Sequence, residues 1–220
     1  MNTFSSVHSP TGFLPKVLSF KSLTEKTSSL ARPLSGTRVG RGMLVVIDES
    51  VEHGDALAAG VIRGAKLLVL ESKRCAIAQI TEAIGRFPGK FESLHIVTHG
   101  SPGCLHFSSG DITFANLHTF AESIESWFSY QTLKKGSKIK VKDAGSFLSL
   151  YACNLATGEA GLELLEKLHF LTGVSVHASR GKVGSTTLNG SWQLETTYPF
   201  ACEAKFPFTD DLLETYKAVA

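Results

Sequence analysis

Two side chains that together make a nucleophile and its base, Cys153 and His99, each follow a short apolar run in this sequence. Residues 94–100 read Leu-His-Ile-Val-Thr-His-Gly, and residues 147–154 read Phe-Leu-Ser-Leu-Tyr-Ala-Cys-Asn. The thiolate is the reactive form of cysteine, and an imidazole beside it can take the thiol proton and later protonate a leaving amine. The pair therefore indicates cysteine-dependent acyl transfer.

Each residue also has an ordinary structural explanation. A cysteine at the end of a strand is commonly a small apolar core residue, and a single histidine is commonly a structural one. A zinc set of His99, Cys104, His106 and Cys153 is a further alternative, but its spacing matches no common zinc pattern. We therefore predict neither a metal nor a cofactor, and the joint occurrence of the two motifs favours catalysis.

The neighbours of the pair have expected roles in the same chemistry. Gly100 lets a substrate carbonyl approach the backbone closely, and the N–H groups of Gly100 and Cys153 are the expected oxyanion donors. Ser101 and Asn154 are expected to orient the two loops. These residues complete the candidate site at the level of the sequence.

Apolar runs alternate with helical patterns along the chain. The apolar runs are residues 43–47 and 66–70, and the helical patterns are residues 55–61, the isoleucines at 77, 80 and 84, and the leucines at 164, 165, 168 and 171 before Gly173. This alternation predicts an α/β fold, a three-layer α/β/α sandwich around a largely parallel sheet. Ligands bind outside the carboxyl ends of such strands, where both motifs fall.

Shorter patterns predict the remaining elements. We expect a hairpin of residues 104–107 and 111–113, a helix from about residue 114 to 128, a polar loop at 131–142, strands at 174–177 and 191–195, and a helix at 210–219. The loop is exposed in this scheme, so it is a candidate cleavage or activation segment.

Charge separates an N-terminal arm from the body. Residues 1–42 hold six basic residues and one acid, a net +5, while the rest holds 22 − 6 = 16 basic and 20 − 1 = 19 acidic residues, a net −3. We expect a disordered or loosely packed arm at 1–42, a folded domain at 43–198 and a tail with a short helix at 199–220. The arm resembles an organelle transit peptide and is also a candidate pro-segment.

Several partner classes are disfavoured by composition. An acidic body does not favour nucleic acid, and no stretch approaches the roughly 20 apolar residues of a membrane helix. The four cysteines form no C-x-x-C pair, which argues against a disulfide framework. Compartment and oligomeric state are not determined by the sequence.

The two motifs, in this order, resemble the His-Gly and Ala-Cys motifs of the caspase-like cysteine peptidases. Over about residues 45–195 the chain also resembles the bacterial domain of unknown function 4347, a family found mainly near the start of repeat-rich adhesins and calcium-binding surface proteins. One departure is Ala152, where glycine is expected. The segments that carry the resemblance are residues 46–51, 95–101, 150–156, 158–161 and 190–195.

The resemblance implies a caspase-like fold and a protein or peptide substrate, with Cys153 as nucleophile and His99 as general base. Asp48 and Glu49 follow the first strand, where an acid in such enzymes favours Lys or Arg before the cut; alternatively, Asp48 caps a loop or binds backbone amides. Self-cleavage is expected in the arm or in the 131–142 loop. The alternative function is a catalytically silent module that binds a peptide or a partner in the same crevice.

Overall fold

The computed structural model describes residues 42–86, 91–128, 131–132, 138–139, 145–200 and 204–220. The expected N-terminal arm lies outside these residues, apart from Gly42. The described chain begins with strands and helices in alternation: β1 (Gly42–Ile47), α1 (Gly54–Ala59), β2 (Lys66–Val69), α2 (Ala76–Gly85) and β3 (Phe91–Val97).

Three short strands and a short helical segment follow: β4 (His99–Ser101), β5 (Cys104–Phe107), β6 (Gly110–Thr113), a 3-10 turn (Leu117–Phe120) and α3 (Ala121–Glu125). The rest of the described chain contains β7 (Gln131–Thr132), β8 (Lys138–Ile139), β9 (Phe147–Tyr151), α4 (Gly158–Thr172), β10 (Ser175–Ala178), a 3-10 turn (Thr186–Leu188), β11 (Thr196–Tyr198) and α5 (Asp210–Thr215).

A six-stranded sheet organises the domain, with the strand order β11-β10-β9-β3-β1-β2. Its neighbours are parallel except for β10 and β11, which pair antiparallel. The predicted α/β fold with a largely parallel sheet is therefore confirmed. The strands β3 and β9, which carry the two motifs, are adjacent although a long stretch of chain separates them.

Alternate residues of each strand point to opposite sides, so the sheet supplies two hydrophobic clusters. We call one side the helix-covered face, where Leu94 and Leu148 meet buried residues of α2, α3 and α4. We call the other the aromatic face, where Val45 and Val97 meet α1, α5 and a group of aromatic rings. Both clusters are buried, so the sheet is covered on both sides.

Helix α4 shows how the local sequence makes the helix-covered face. Leu164, Leu165, Leu168 and Leu171 recur at helix spacing and are all buried. Gly173 ends the helix at a φ of 72°, and its N–H donates to His169 O. A left-handed residue at this position is the usual way a helix ends, and glycine adopts it without a Cβ penalty.

The hairpin next to the sheet agrees with expectation. β5 and β6 pair antiparallel, and β4 pairs with β5 on the other side, so these strands form a separate three-stranded sheet. Leu105, Phe107 and Ile112 are buried on one side of it. The hairpin thereby fixes the loop that begins at His99.

Three expected elements differ in the structure. No strand forms at residues 191–195, because Trp192 and Leu194 pack against the aromatic face. The segment that pairs with β10 is β11. The helix expected from residue 114 begins as a 3-10 turn at Leu117 and becomes α-helical at Ala121. The last helix ends at Thr215 rather than near residue 219, and the chain beyond it is extended.

The expected polar loop at 131–142 is only partly described. Its described residues form the antiparallel pair β7 and β8, and the others lie outside the described part of the chain. Among the described residues no helix has the length and apolar character needed to cross a membrane.

Candidate active site

The candidate nucleophile and base lie at equivalent positions beyond two neighbouring strands. Val97 ends β3 and Tyr151 ends β9, and the two residues are partners in the parallel register. His99 and Cys153 each follow two residues later. The Thr98 N–H donates to Tyr151 O at 3.2 Å, so backbone pairing continues past the strand ends. The topology therefore brings the two motif loops together at one edge of the sheet.

The loop after His99 passes so close to the Cys153 loop that position 100 has no room for a side chain. A Cβ atom on Gly100 would lie 2.7 Å from Ala152 Cβ and 2.9 Å from Cys153 O. Any other residue here would push the two loops apart. Gly100 was expected to let a substrate carbonyl approach the backbone. Its contacts show that the missing side chain also makes room for the Cys153 loop.

His99 is held by the loop that follows β1. Its Nε2 lies 3.1 Å from Ser50 O, and the ring is half-buried. A carbonyl oxygen only accepts, so Nε2 carries the hydrogen and Nδ1 keeps a lone pair. Within the described residues no hydrogen bond joins His99 to Cys153. The ring is thus oriented by the backbone, with Nδ1 available as a base.

Cys153 is half-buried, and its sulfur and its backbone N–H both have partners. The Val183 N–H donates to Cys153 Sγ at 3.2 Å, and the Cys153 N–H donates to Ala220 O at 3.0 Å. The first contact directs a donor at the atom that carries charge in a nucleophilic thiolate. The second directs the expected oxyanion donor at a carbonyl-type oxygen.

Tyr216 is hydrogen-bonded to the loop after β1 and interacts electrostatically with Cys153. Its hydroxyl donates to Glu52 O at 2.8 Å, and the residue is buried with 3 % of its surface exposed. Burial is the main reason that the pKa of Tyr216 rises to about 12, with further contributions from the charges of Glu52 and Cys153. The phenol therefore stays protonated and lies within electrostatic reach of the thiol.

Asp48 serves the protein's own loops. It is fully buried, and its carboxylate accepts hydrogen bonds from the backbone N–H and hydroxyl groups of both Ser50 and Ser108. Those contacts tie the loop after β1 to the β5–β6 turn. They include bonds from two backbone amides, which was the alternative role expected of Asp48; its role in a substrate pocket stays a prediction.

The other predicted residues have separate placements. Glu49 is exposed, and hydrogen bonds from the side chain and backbone of Ser72 lower its pKa. The Ser101 hydroxyl lies 2.8 Å from His106 Nε2, on the hairpin rather than on Cys153. Asn154 adopts a left-handed φ of 57°, and its N–H donates to Gly181 O at 2.8 Å, so it shapes the nucleophile loop.

Residues 44–220 match the family model of the domain of unknown function DUF4347. The chain belongs to this family. No curated protein and no solved structure matches it. The family match also includes residues 199–220, which are expected from the sequence to form a tail, and Tyr216 and Ala220 belong to this segment.

A group of residues of types that bind metals lies on the hairpin next to the candidate site. Cys104, His106 and Asp111 offer ligand atoms within 4.8 Å of one another, with His106 Nδ1 2.8 Å from Asp111 Oδ1 and 3.5 Å from Cys104 Sγ. The zinc set considered from the sequence was His99, Cys104, His106 and Cys153. Within the described residues, Cys104 and His106 group with Asp111 instead of with His99 and Cys153. The hydrogen bond to Asp111 is sufficient to explain the orientation of the His106 ring without a metal ion.

Three residues that contact or interact with Cys153 carry no functional signal in the sequence, namely Val183, Tyr216 and Ala220. Val183 and Ala220 act through backbone atoms, which leave no mark on the sequence. Tyr216 follows Leu212 at helix spacing, which is an apolar pattern and carries no catalytic signal. None of the three was detectable without the tertiary structure.

Proposed function

We propose that this DUF4347 domain is a cysteine endopeptidase with a caspase-like three-layer α/β/α sandwich, in which Cys153 is the nucleophile and His99 the general base. The observation that carries the proposal is the approach of the two motif loops at Gly100, where even a Cβ atom would meet Ala152 and Cys153. The placement of a thiol and an imidazole beyond matching ends of adjacent strands supports nucleophile-and-base catalysis. The association with repeat-rich adhesins stays a prediction from the resemblance.

In the proposed reaction, Cys153 Sγ forms a bond to the scissile carbonyl carbon while His99 Nδ1 takes the thiol proton. The Cys153 N–H donates to the oxyanion. The carbon–nitrogen bond then breaks, and His99 gives its proton to the leaving amine. Water adds to the thioester with His99 as base, and the proton returns to the departing Cys153 thiolate. Ser50 O holds Nε2–H and keeps the ring in the required tautomer.

Candidate substrates within the chain are the 1–42 arm and the 131–142 loop. Both are polar in sequence; the arm contains Lys and Arg, and the loop contains Lys. The preference for Lys or Arg now depends on Glu49, because Asp48 is buried by its own loop contacts. Peptides with Arg, Lys, Asp, Leu or Ala before a fluorogenic group test this preference. Fastest cleavage after Asp or Leu would sink it, and Glu49→Gln should lower the Arg and Lys rates alone.

The second candidate is a catalytically silent module that binds a peptide or partner in the same crevice. It is favoured by the lack of a hydrogen bond between His99 and Cys153 in the described residues. The contacts of Cys153 with Val183 and Ala220 favour it as well, because both reactive groups of the cysteine already have partners. The same fold accommodates both functions, so a chemical test has to separate them.

The deciding experiment compares the purified full chain with Cys153→Ala, His99→Ala and the control Cys75→Ala, whose exposed thiol lies elsewhere. Peptide hydrolysis should fall about 10³-fold or more in Cys153→Ala and about 10²- to 10⁴-fold in His99→Ala. Cys75→Ala should match the parent chain. Mass spectrometry of the chain termini reports self-cleavage in the same samples.

Equal hydrolysis by the parent chain and Cys153→Ala would refute the peptidase. Inert behaviour of every form, with no covalent labelling of Cys153 by an acyloxymethylketone probe, would favour the binding module.

A further inference from the structure

Residues 218–220 lie as an extended strand against residues 183–185, directly beside Cys153. The Ser185 N–H donates to Ala218 O at 2.8 Å, and the Ala220 N–H donates to Val183 O at 2.9 Å. Gly184 and Val219 form the antiparallel bridge between these bonds. This is backbone pairing of the kind by which an extended peptide adds to an exposed strand.

The groove that holds this strand is shaped for small side chains. Ala218 and Ala220 point the same way, as alternate residues of a strand do, and each is 1 % exposed. Gly184 has a φ of 129°, and a Cβ atom there would lie 2.4 Å from Ala218 O and 2.9 Å from Val219 Cα. A side chain at position 184 would therefore exclude the strand.

The strand also places a backbone oxygen where the proposed reaction needs one. The Cys153 N–H donates to Ala220 O at 3.0 Å, and Val183 donates to Cys153 Sγ while accepting from the Ala220 N–H. An oxyanion donor binds the carbonyl oxygen of the residue that precedes the scissile bond. Ala220 thus has the hydrogen bonds that a substrate residue at the cut would have.

We propose that residues 218–220 occupy the peptide-binding groove of the site as a built-in substrate mimic. The groove accordingly binds an extended peptide with two alanine-sized residues. One carries the reacting carbonyl, as Ala220 does, and the other lies two positions before it, as Ala218 does. This inference rests on the proposed function for the meaning of the oxyanion contact. It predicts a small residue at the cut, as an alternative to the Lys or Arg preference tested above.

An occupant that belongs to the same chain has a high effective concentration, of millimolar order for short connections. It therefore competes strongly with a peptide from solution and shields the Cys153 thiol. Hydrolysis of peptides by the full chain is then limited by how often residues 218–220 leave the groove, and it should rise in variants that displace them.

The test measures alkylation of Cys153 by iodoacetamide in the full chain, with exposed Cys75 as the internal reference. Ala218→Trp and Ala220→Trp put a side chain into the groove that cannot fit. Lys217→Trp adds the same bulk at the neighbouring exposed position and is the matched control. The Cys153 rate should rise about tenfold or more in the two alanine variants and stay unchanged in the control.

Specificity is tested in the displaced variants by added peptide. Acetyl-Ala-Val-Ala, which copies residues 218–220, should restore protection of Cys153, and acetyl-Ala-Val-Arg should not. Circular dichroism and the Cys75 rate verify folding, and Ala220→Leu provides a milder variant if tryptophan disrupts the domain. An unchanged Cys153 rate in folded variants, or equal protection by both peptides, would overturn the inference.

Failure of this inference is distinguishable from failure of the peptidase. Protection by acetyl-Ala-Val-Ala without hydrolysis of a fluorogenic Ala-Val-Ala peptide supports the groove and refutes the enzyme. Hydrolysis without any change in Cys153 labelling on displacement supports the enzyme and refutes the mimic.

Discussion

The two faces of the central sheet are built from different residue types. On the helix-covered face the strands contribute aliphatic residues such as Leu94 and Leu148, and helices α2, α3 and α4 cover them. On the aromatic face His95, Ser149 and His177 occupy matching register positions across β3, β9 and β10. The rings that cover this face have centroids 5.4–6.2 Å apart and belong to Tyr151, Trp192, Phe206, Phe208 and Tyr216.

The difference extends to hydrogen bonding. Among the described residues four buried side-chain polar atoms lack a hydrogen-bond partner: His95 Nδ1, Ser149 Oγ and Trp192 Nε1 lie on the aromatic face, and Thr196 Oγ1, opposite Ala178, lies on the helix-covered face. A cleft of about 550 Å³ also opens on this face, with Tyr151, His177 and Trp192 in its lining. Unpaired buried polar groups reduce stability. The helix-covered face thus contributes most of the packing, and the less completely satisfied face carries Tyr216 and residues 218–220.

The largest expected effect comes from the helix-covered face. Leu164→Ala removes a fully buried side chain from α4 and should reduce the free energy of unfolding by about 3–5 kcal/mol. Leu162→Ala, on the exposed side of the same helix, should change it by less than about 0.5 kcal/mol. Urea unfolding measures both, and similar losses would show that α4 does not bury this face.

The aromatic face should be the source of acid sensitivity. Burial, with the neighbouring His177 as a smaller cause, lowers the pKa of His95 to about 3. The unfolded chain binds this proton near pH 6.5, so stability contributed by neutral His95 is present above that pH. It is lost as the pH falls toward 3, by up to roughly 4 kcal/mol.

His95→Leu should flatten the stability profile between pH 6.5 and 3, whatever its effect at neutral pH. His118→Leu is the control, because His118 is exposed. The measurement is urea unfolding at several pH values. An unchanged slope in His95→Leu would assign the acid sensitivity to other groups, of which His177, with a pKa also lowered by burial, is the first to examine.

The smallest effect compares one tryptophan from each face. Trp127 Nε1–H donates to Thr81 Oγ1 at 2.9 Å, whereas the buried Trp192 Nε1 has no hydrogen-bond partner among the residues that the structure describes. Replacement by phenylalanine should therefore cost about 1 kcal/mol more at position 127 than at 192, since only the former loses a hydrogen bond. Equal losses in thermal or urea unfolding would contradict this assignment.

Local patterns predicted most elements of the sheet and its helices. The leucine spacing of α4, the apolar run of β1 and the hairpin of β5 and β6 all form where expected. The errors fall where tertiary packing outweighs pattern. Trp192 and Leu194 alternate like strand residues, yet they bury their side chains against other rings and pair with no strand of the six-stranded sheet.

The candidate site divides in the same way. His99, Cys153 and Gly100 were identifiable because reactive side chains followed by small residues at strand ends form a legible pattern. Asp48 was legible as an acid, but its loop contacts depend on Ser108, sixty positions away. Val183 and Ala220 contact Cys153 through backbone groups, so the residue types at these positions do not indicate a role in the site.

Hydrophobic periodicity along the chain was sufficient to predict an α/β domain with His99 and Cys153 beyond two apolar strands. These features are local, because hydrophobic period and turn residues act over a few positions. Three other features are visible only in the folded chain: β3 and β9 are neighbours, Gly100 lets their loops touch, and residues 218–220 lie against Cys153. Those contacts depend on strand order and on backbone hydrogen bonds between distant segments, which the order of side chains does not encode locally.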